Sequence, residues 1–167
     1  MLDQSKALEL FEYKNGKLYC KAKTNPKSNK KNIGEEVGGL NGQDYLVTKI
    51  HYKSYFVHKI IFLMHYGYIP QIVDHIDGNT LNNRIENLRA VNLSQNQHNR
   101  GIDKRNKSGF KNVAWCKRTK KWQVSLAVNN KSMEFGRFSD IELADLVAQE
   151  ARDKYHKEFV RRITCSN

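Results

Sequence analysis

The stretch "VDHIDGNTLNNRIENLRAVNLSQNQHN", Val73 to Asn99, sets an Asp beside a His and then adds seven asparagines and a second His. Asparagine side chains compete with the backbone for hydrogen bonds, so they favour turns and caps over the interiors of helices and strands. A packing core would carry Leu and Val at these positions. The segment therefore indicates a loop-rich scaffold that presents polar side chains to a ligand.

The pattern within this stretch predicts two strands and a short helix. "QIVDH" suits a strand that ends in Asp74 and His75, and "NLRAV", Asn87 to Val91, can pair back against it. "NLSQNQHN" can then turn into a helix that starts near Asn92. A hairpin followed by a helix brings Asp74, His75 and the helix side chains to one place.

The residue types gathered there indicate a metal-assisted reaction. Carboxylate and carboxamide oxygens are hard ligands that suit Mg²⁺ or Mn²⁺, ions that keep several waters and accept phosphate oxygens. A neutral imidazole beside them suits a general base, because its ordinary pKa lies near working pH.

This set resembles the HNH nuclease family and its ββα-metal motif, in particular the phage homing and free-standing members that carry Asn where others carry the final His. The matching pattern is "VDHIDGNTLNNRIENLRAV...QNQHN", and "VHKIIFLMHYG" before it resembles the helix that usually precedes the motif. By that resemblance His75 is the general base that activates water. Asp74 and Asn96 hold one divalent ion, and Asn87 braces the loop and orients the base.

Other polar residues of the region have more than one interpretation. His98 is the alternative to Asn96; residues two apart on a helix point roughly 200° from each other, so both cannot face one metal. Asp77 is expected to shape the loop. His65 and His58 are interpreted as satisfied core histidines, with contact to the site left open for His58 because it begins the helix. Three asparagines are interpreted as turn formers rather than ligands: Asn79, Asn82 and Asn83.

Composition bounds the class of protein and its partners. The 167 residues are 39% hydrophobic, and 29 Lys and Arg against 17 Asp and Glu give a net charge of +12. Such a surplus predicts a polyanionic partner, nucleic acid before membrane. No apolar run approaches the roughly 20 residues that span a bilayer, and "MLDQSKALEL" does not have the form of a signal peptide. We expect no membrane partner and a cytoplasmic location, in the host cell if the gene is carried by a phage.

The whole chain is expected to be α+β, with two domains. Residues 1–100 would form the nuclease domain, with a buried helix from about His58 to Tyr66 that stops at Gly67. Residues 101–108, "GIDKRNKS", are turn-prone and charged, which suits a linker. Residues 109–160 would form a second domain, followed by a tail at 161–167.

The second domain shows three strand patterns and an amphipathic helix. In "KWQVSLAVNN" apolar and polar residues alternate, so one face of the strand is apolar. "SDIE" predicts a helix with Ser139 as N-cap and Glu142 closing a capping box. The helix is expected to cover one face of the sheet, including Trp122, Trp115 and Phe135, and to leave the other face to solvent or a partner.

This half resembles the plant ethylene-response-factor DNA-binding domain, which also occurs attached to phage HNH nucleases. The matching marks are Gly109, Trp115, Trp122, the "FGRF" strand and the Ala-rich helix ending in "KYHKEF". In that family the sheet lies in the major groove of duplex DNA. The residues that would contact DNA here are Lys111, Lys117, Arg118, Lys120, Lys121, Gln123, Ser125, Lys131 and Arg137. The alternative is that these lysines form a solvated rim.

The sequence thus predicts a metal-dependent HNH DNA endonuclease of the homing type that uses Mg²⁺ or Mn²⁺ and nicks double-stranded DNA. One site with one ion cuts one strand, and whether the protein acts as a monomer or a dimer is left open. The alternative is a DNA-binding or regulatory protein with a vestigial nuclease site. An RNA target is a third interpretation.

Overall fold

The computed structural model describes residues 2–24, 33–99, 101–103, 105–128 and 131–156. The chain divides into two compact units, Met1–Asn92 and Leu93–Asn167. Helices and small antiparallel sheets make up both, which confirms the α+β class. The domain limits expected at residues 100 and 109 stay a prediction, and the tail at 161–167 lies outside the described residues.

The first unit contains two helices, eight short strands and one 3-10 turn among its described residues. Helices α1 and α2 span Gln4–Leu10 and Val57–Tyr66. Three sheets are formed by β1 (Phe11–Lys14), β2 (Lys17–Cys20) and β3 (Glu36–Val37); by β4 (Gly39–Leu40), β5 (Leu46–Ile50) and β6 (Lys53–Phe56); and by β7 (Ile72–His75) and β8 (Leu88–Val91). The 3-10 turn at Ile85–Asn87 leads into β8.

Helix α2 is the centre of the first hydrophobic core. Seven of its ten residues are buried, including Ile60 and Ile61, and it ends at Gly67, whose φ of +79° is the left-handed conformation that glycine adopts without strain. Side chains from α1, β1, β2, β7 and β8 pack around it, among them Leu10, Phe11 and Leu18. The helix expected from His58 to Tyr66 is confirmed.

The β1–β2 hairpin turns at an Asn-Gly pair. Lys14 pairs with Lys17, so Asn15 and Gly16 are the two loop residues, with φ of +48° and +84°. Two-residue hairpin loops of this kind require positive φ at both positions, and Asn-Gly is the pair that tolerates it best. This turn contacts the segment at residues 83 and 84, which leads towards β8.

Strands β7 and β8 form the two-stranded sheet that the polar stretch predicts. They pair antiparallel from Ile72 opposite Val91 to His75 opposite Leu88, and helix α3 follows at Leu93–Asn99. The strand–strand–helix order expected from the sequence is therefore confirmed in secondary structure.

Beyond α3, the second unit is a three-stranded sheet covered by one helix. Strands β9 (Val113–Cys116), β10 (Lys121–Val128) and β11 (Lys131–Phe138) pair antiparallel in the order β11-β10-β9, and α4 spans Ile141–His156. The core joins buried residues of the sheet and of α4: Val113, Val124, Leu126, Ala144, Ala148 and Ala151. In the part of the chain that the structure describes, no helix is long and apolar enough to cross a membrane.

Two expectations for this unit need correction. Trp115 packs edge-on against Trp122, with 4.9 Å between the ring centroids, but it keeps 48% of its surface exposed and is not covered by α4. The N-cap of α4 is Asp140 rather than Ser139. The Asp140 carboxylate accepts hydrogen bonds from the backbone N–H groups of Glu142 (2.7 Å) and Leu143 (2.9 Å).

Replacing the capping carboxylate tests this assignment. Asp140→Ala should lower the free energy of unfolding of the second unit by about 0.5–2 kcal/mol, because two N–H groups lose their acceptor. Ser139→Ala, the matched control, should change it by less than about 0.5 kcal/mol. Both tryptophans of the chain lie in this unit, so urea unfolding followed by tryptophan fluorescence reports on it selectively. A larger loss for Ser139→Ala would contradict the assignment.

Candidate active site

The carboxylate of Asp74 lies nearly buried on β7, directly opposite Arg89 on β8. The Arg89 guanidinium donates a hydrogen bond from Nε to Asp74 Oδ2 at 3.0 Å, and its terminal nitrogen Nη2 forms an ion pair with the same oxygen at 2.9 Å. Only 9% of the Asp74 side chain is exposed, so the pair is shielded from solvent. A divalent ion bound at Asp74 would share this carboxylate with Arg89.

The imidazole of His75, the last residue of β7, contacts a second buried polar side chain. Its Nε2 lies 2.9 Å from Oδ1 of Asn83, and the two residues are 4% and 1% exposed. The interpretation of Asn83 as a turn former rather than a ligand did not include this contact, in which the side chain faces the candidate base. The only sequence signal is the position of Asn83 in the Asn-rich loop, which Asn79 and Asn82 share.

The His75 ring belongs to an aromatic cluster that also contains Tyr45, Phe56 and His58. The His58 ring meets the His75 ring edge-on at 5.1 Å between centroids and stacks on Phe56 at 5.3 Å. The centroid of the Tyr45 ring lies 6.1 Å from that of the His75 ring. His58 is thus in contact with the candidate base, whereas the sequence favoured a plain core histidine. Nothing in the sequence around Tyr45 indicates that it lies near His75.

His58 is held neutral by its surroundings. Burial, reinforced by the nearby His75 and Lys59, lowers the pKa of His58 from 6.5 to about 3. An uncharged ring therefore packs against His75 at neutral pH.

Asn87 ties together the loop between β7 and β8. Its carboxamide accepts from the backbone N–H of Asp77 (3.0 Å) and donates to the Asp77 carboxylate (2.9 Å) and to the carbonyl of Asn82 (2.8 Å). Asp77 also accepts from the side chain of Asn82 and the backbone N–H of Asn79. Burial raises the pKa of Asp77, but these hydrogen bonds outweigh it and lower the pKa overall.

The hydrogen bonds of Asn87 describe a brace on the loop, as the resemblance implied. The carboxamide that is hydrogen-bonded to the His75 ring, however, belongs to Asn83 and not to Asn87. Both residues lie in the same polar loop. The direct orientation of His75 by Asn87 stays a prediction.

Asn96 lies half-buried on α3, which belongs to the second compact unit, so its meeting with Asp74 stays a prediction. The side chain of His98, the alternative, lies outside the described residues. Within the described ranges no group of three or more His, Cys, Asp or Glu side chains could hold a metal ion. The expected ligand pair is a carboxylate and a carboxamide, and oxygen donors of this kind fit Mg²⁺ or Mn²⁺.

The nine candidate DNA-contacting residues of the second unit lie in different places. Four point to the open face of the sheet, away from α4, on β10 and β11: Lys121, Gln123, Ser125 and Arg137. Three are exposed in the turn between β9 and β10: Lys117, Arg118 and Lys120. Lys111 is half-buried before β9. Lys131 is exposed but pairs with Val128, so it lies on the opposite face, at its edge.

An acidic residue lies among the basic ones on the open face. Glu134 accepts hydrogen bonds from the Gln123 side chain at 2.8 Å and from Arg137 Nη2 at 3.0 Å, and its other oxygen forms an ion pair with Arg137 Nε at 2.9 Å. The charge of Arg137 is therefore compensated, whereas the basic turn at 117–120 is exposed.

Comparison with known proteins agrees with the class of site. A family model described as HNH endonuclease matches residues 55–98, the segment that carries His58, Asp74, His75 and Asn87. The chain is also similar to Protein 3.8 of Escherichia phage T7, at 32% identity over 97 residues, which are 57% of this chain and 79% of that relative. The chain belongs to the HNH endonuclease family, with the T7 protein as a phage-encoded relative. No solved structure matches it.

The buried neutral His58 makes the first unit sensitive to acid. Because its pKa is lowered from 6.5 to about 3, the unfolded chain binds a proton between these values that the folded chain does not. Stability is therefore complete above pH 6.5 and is lost as pH falls towards 3. Lowering the pH from 7 to 5 should remove about 2 kcal/mol through this group alone.

His58→Phe keeps the ring packing and should flatten that pH dependence. Amide hydrogen exchange of α2, corrected for its intrinsic pH dependence, measures the opening free energy of this unit. His51→Asn is the control, since His51 is exposed and its φ of +47° suits asparagine. An unchanged slope in His58→Phe would show that another group carries the acid sensitivity.

Proposed function

We propose that this protein is a metal-dependent HNH endonuclease of the phage homing or free-standing type that nicks double-stranded DNA. The observation that supports it best is the arrangement around His75. A candidate base lies next to a buried carboxylate at the end of β7, bonded to Asn83 and enclosed by the aromatic cluster, within the segment that matches the family.

In the proposed reaction His75 takes the proton of a water molecule. The resulting hydroxide attacks phosphorus, the bond to the 3′ oxygen breaks, and the products carry a 5′ phosphate and a 3′ hydroxyl once the leaving oxygen gains a proton. His75 is 4% exposed, so bound DNA has to bring the scissile phosphate and its water to the edge of the ring. Its fixed orientation is what a general base requires.

Asp74 and Asn96 are the residues that would hold the divalent ion, Mg²⁺ or Mn²⁺. When bound, such an ion supplies Lewis acidity to the phosphate and compensates charge on the leaving oxygen. The hydrogen bond from Arg89 holds the Asp74 carboxylate in place across the two strands. Asn87 keeps the loop between the two strands closed.

The second unit would hold duplex DNA through its basic turn and open sheet face, as the ethylene-response-factor resemblance implies. Lys117, Arg118 and Lys120 are exposed on one turn, and Lys121 continues the basic surface on the sheet. Exposed cations bind phosphates without choosing a sequence. Since Glu134 already engages Gln123 and Arg137, backbone contacts would dominate over base readout.

A plasmid assay tests the nuclease activity. With Mg²⁺ or Mn²⁺ the protein should convert supercoiled plasmid to open circle, and EDTA should abolish the conversion. His75→Ala should slow it by about 10²–10⁴-fold, the usual contribution of a general base. His51→Asn, which alters an exposed histidine of the same unit, should cut at the wild-type rate.

The other outcomes separate the alternatives. Plasmid that is retarded in a gel but never cut would support the DNA-binding protein with a vestigial site. Direct appearance of linear plasmid would contradict nicking, and metal-dependent cutting of structured RNA in preference to plasmid would contradict the choice of DNA.

The salt dependence of binding tests the basic turn. Replacing Lys117, Lys120 and Lys121 by Gln should reduce the slope of log K against log salt by about 2–3, because each phosphate that the protein no longer neutralises lowers the slope by about 0.9. Cleavage at low salt should persist, because the nuclease residues are untouched. Fluorescence anisotropy with a short duplex in EDTA measures the slope without cutting.

A second triple replacement separates a local contact from overall charge. Lys6, Lys14 and Lys17, all on the first unit, are replaced by Gln in the control, which lowers the net charge equally. The slope should then change by less than about 1. Equal effects of the two triples would contradict a DNA-holding surface on the second unit.

A further inference from the structure

We infer that Asn83 is a positioning residue for the reaction, because its buried carboxamide fixes which nitrogen of His75 carries the proton and in which direction the ring points. This inference rests on the proposed role of His75 as the general base. Asn83 is neither the proposed base nor one of the proposed metal ligands.

The burial of Asn83 has no good explanation in stability alone. The residue is 1% exposed, and among the described residues its Nδ2 has no hydrogen-bond partner. A buried donor without an acceptor costs about 1–3 kcal/mol, more than one neutral hydrogen bond returns. A leucine of similar size would avoid that cost. The bond between Oδ1 and His75 Nε2 is therefore the feature that distinguishes asparagine from an apolar residue here.

That bond selects one form of the imidazole. The carboxamide oxygen can only accept, so His75 Nε2 donates and carries the proton when the ring is neutral. Nδ1 is then the nitrogen with the lone pair, the one that can take a proton from water. Rotation of the ring about its bond to Cβ would break the hydrogen bond, so the same contact fixes the direction of Nδ1.

Asn83 is itself held by the amino-terminal hairpin. Gly16, at the β1–β2 turn, lies so close to this segment that a Cβ there would come within 2.9 Å of the backbone nitrogen of Arg84 and 3.2 Å of the Asn83 carbonyl carbon. The Tyr13 hydroxyl accepts from the backbone N–H of Ile85 at 3.0 Å. These contacts with the hairpin therefore keep the Asn83 carboxamide from moving away from His75.

Nuclear magnetic resonance of the metal-free protein tests the inference without reference to cleavage. With ¹⁵N-labelled histidine at neutral pH, the wild type should show the His75 proton on Nε2, shifted downfield by its hydrogen bond and slow to exchange with water. In Asn83→Leu this proton should move upfield and exchange about tenfold faster or more, as the loss of one buried hydrogen bond implies.

Asn83→Asp is the rescue variant. Asp keeps the accepting oxygen at this position, although it replaces the Nδ2 group, which has no described partner, by a second carboxylate oxygen and a negative charge. It should retain the downfield Nε2 proton, whereas Asn83→Leu should lose it and should also lose about 10–100-fold of metal-dependent nicking, the usual effect of removing a residue that orients a functional side chain. Ile61→Val, a conservative change in the same core, should lower stability while leaving the His75 signals unchanged.

The results separate this inference from the proposed function. If the wild type fails to nick plasmid, the nuclease proposal fails, and the resonance data still decide the role of Asn83. A wild-type proton on Nδ1, or an unchanged Nε2 proton in Asn83→Leu, would overturn the inference even in an active enzyme. A loss of nicking in Ile61→Val as large as in Asn83→Leu would also overturn it, since general destabilisation would then explain both.

Discussion

The β7–β8 hairpin is held together by polar contacts, and the candidate site depends on them. A two-stranded sheet is marginal in water by itself, so its shape has to come from its surroundings. Here the buried Asp74–Arg89 pair joins the two strands, the Asp77–Asn87 bonds close the loop, and Val73 and Leu88 pack on the core around α2. Because these contacts form together only in this register, a slip of one residue would break the ion pair and turn His75 to the other face. Rigidity at His75 follows from this constraint.

The contrast between the two units follows from what each surface has to contact. In the first unit, polar residues of the site are drawn inward: Asp74, His75 and Asn83 are all less than a tenth exposed. Low local dielectric strengthens their hydrogen bonds and fixes their geometry. In the second unit, the cations of the β9–β10 turn face solvent, where they would act at a distance on the proposed DNA partner and be screened by salt. Under the proposed function, the reaction, which requires one geometry, would take place among buried groups, and DNA binding, which tolerates many sequences, would use exposed ones.

The sequence predicted the parts of the fold that have strong local signals. Helix α2 follows from an apolar run ended by Gly67, and strands β7 and β8 follow from short apolar segments around a polar loop. The placement of Asn83 and His58 was missed, because an asparagine in a turn and one bonded to a buried histidine have the same local pattern; only long-range packing separates them. The same limit explains Asp140, since two adjacent N-cap candidates, Ser139 and Asp140, differ by one residue and either satisfies the capping rule. Strand alternation predicts which face of the sheet carries Trp115, but it does not predict how much of that face α4 covers.

The packing of His58 against His75 has a consequence for the charge of the base. A general base becomes positive when it takes a proton, and a second charged imidazole 5.1 Å away would oppose that step. Burial lowers the pKa of His58 to about 3, so the neighbour remains neutral and adds no such repulsion. The Asn83 oxygen can accept from Nε2 in both the neutral and the protonated form of the ring, so this hydrogen bond persists when the ring takes a proton. If His75 is the general base, as proposed, His58 and Asn83 are therefore the two neighbours that would let it change its charge without moving.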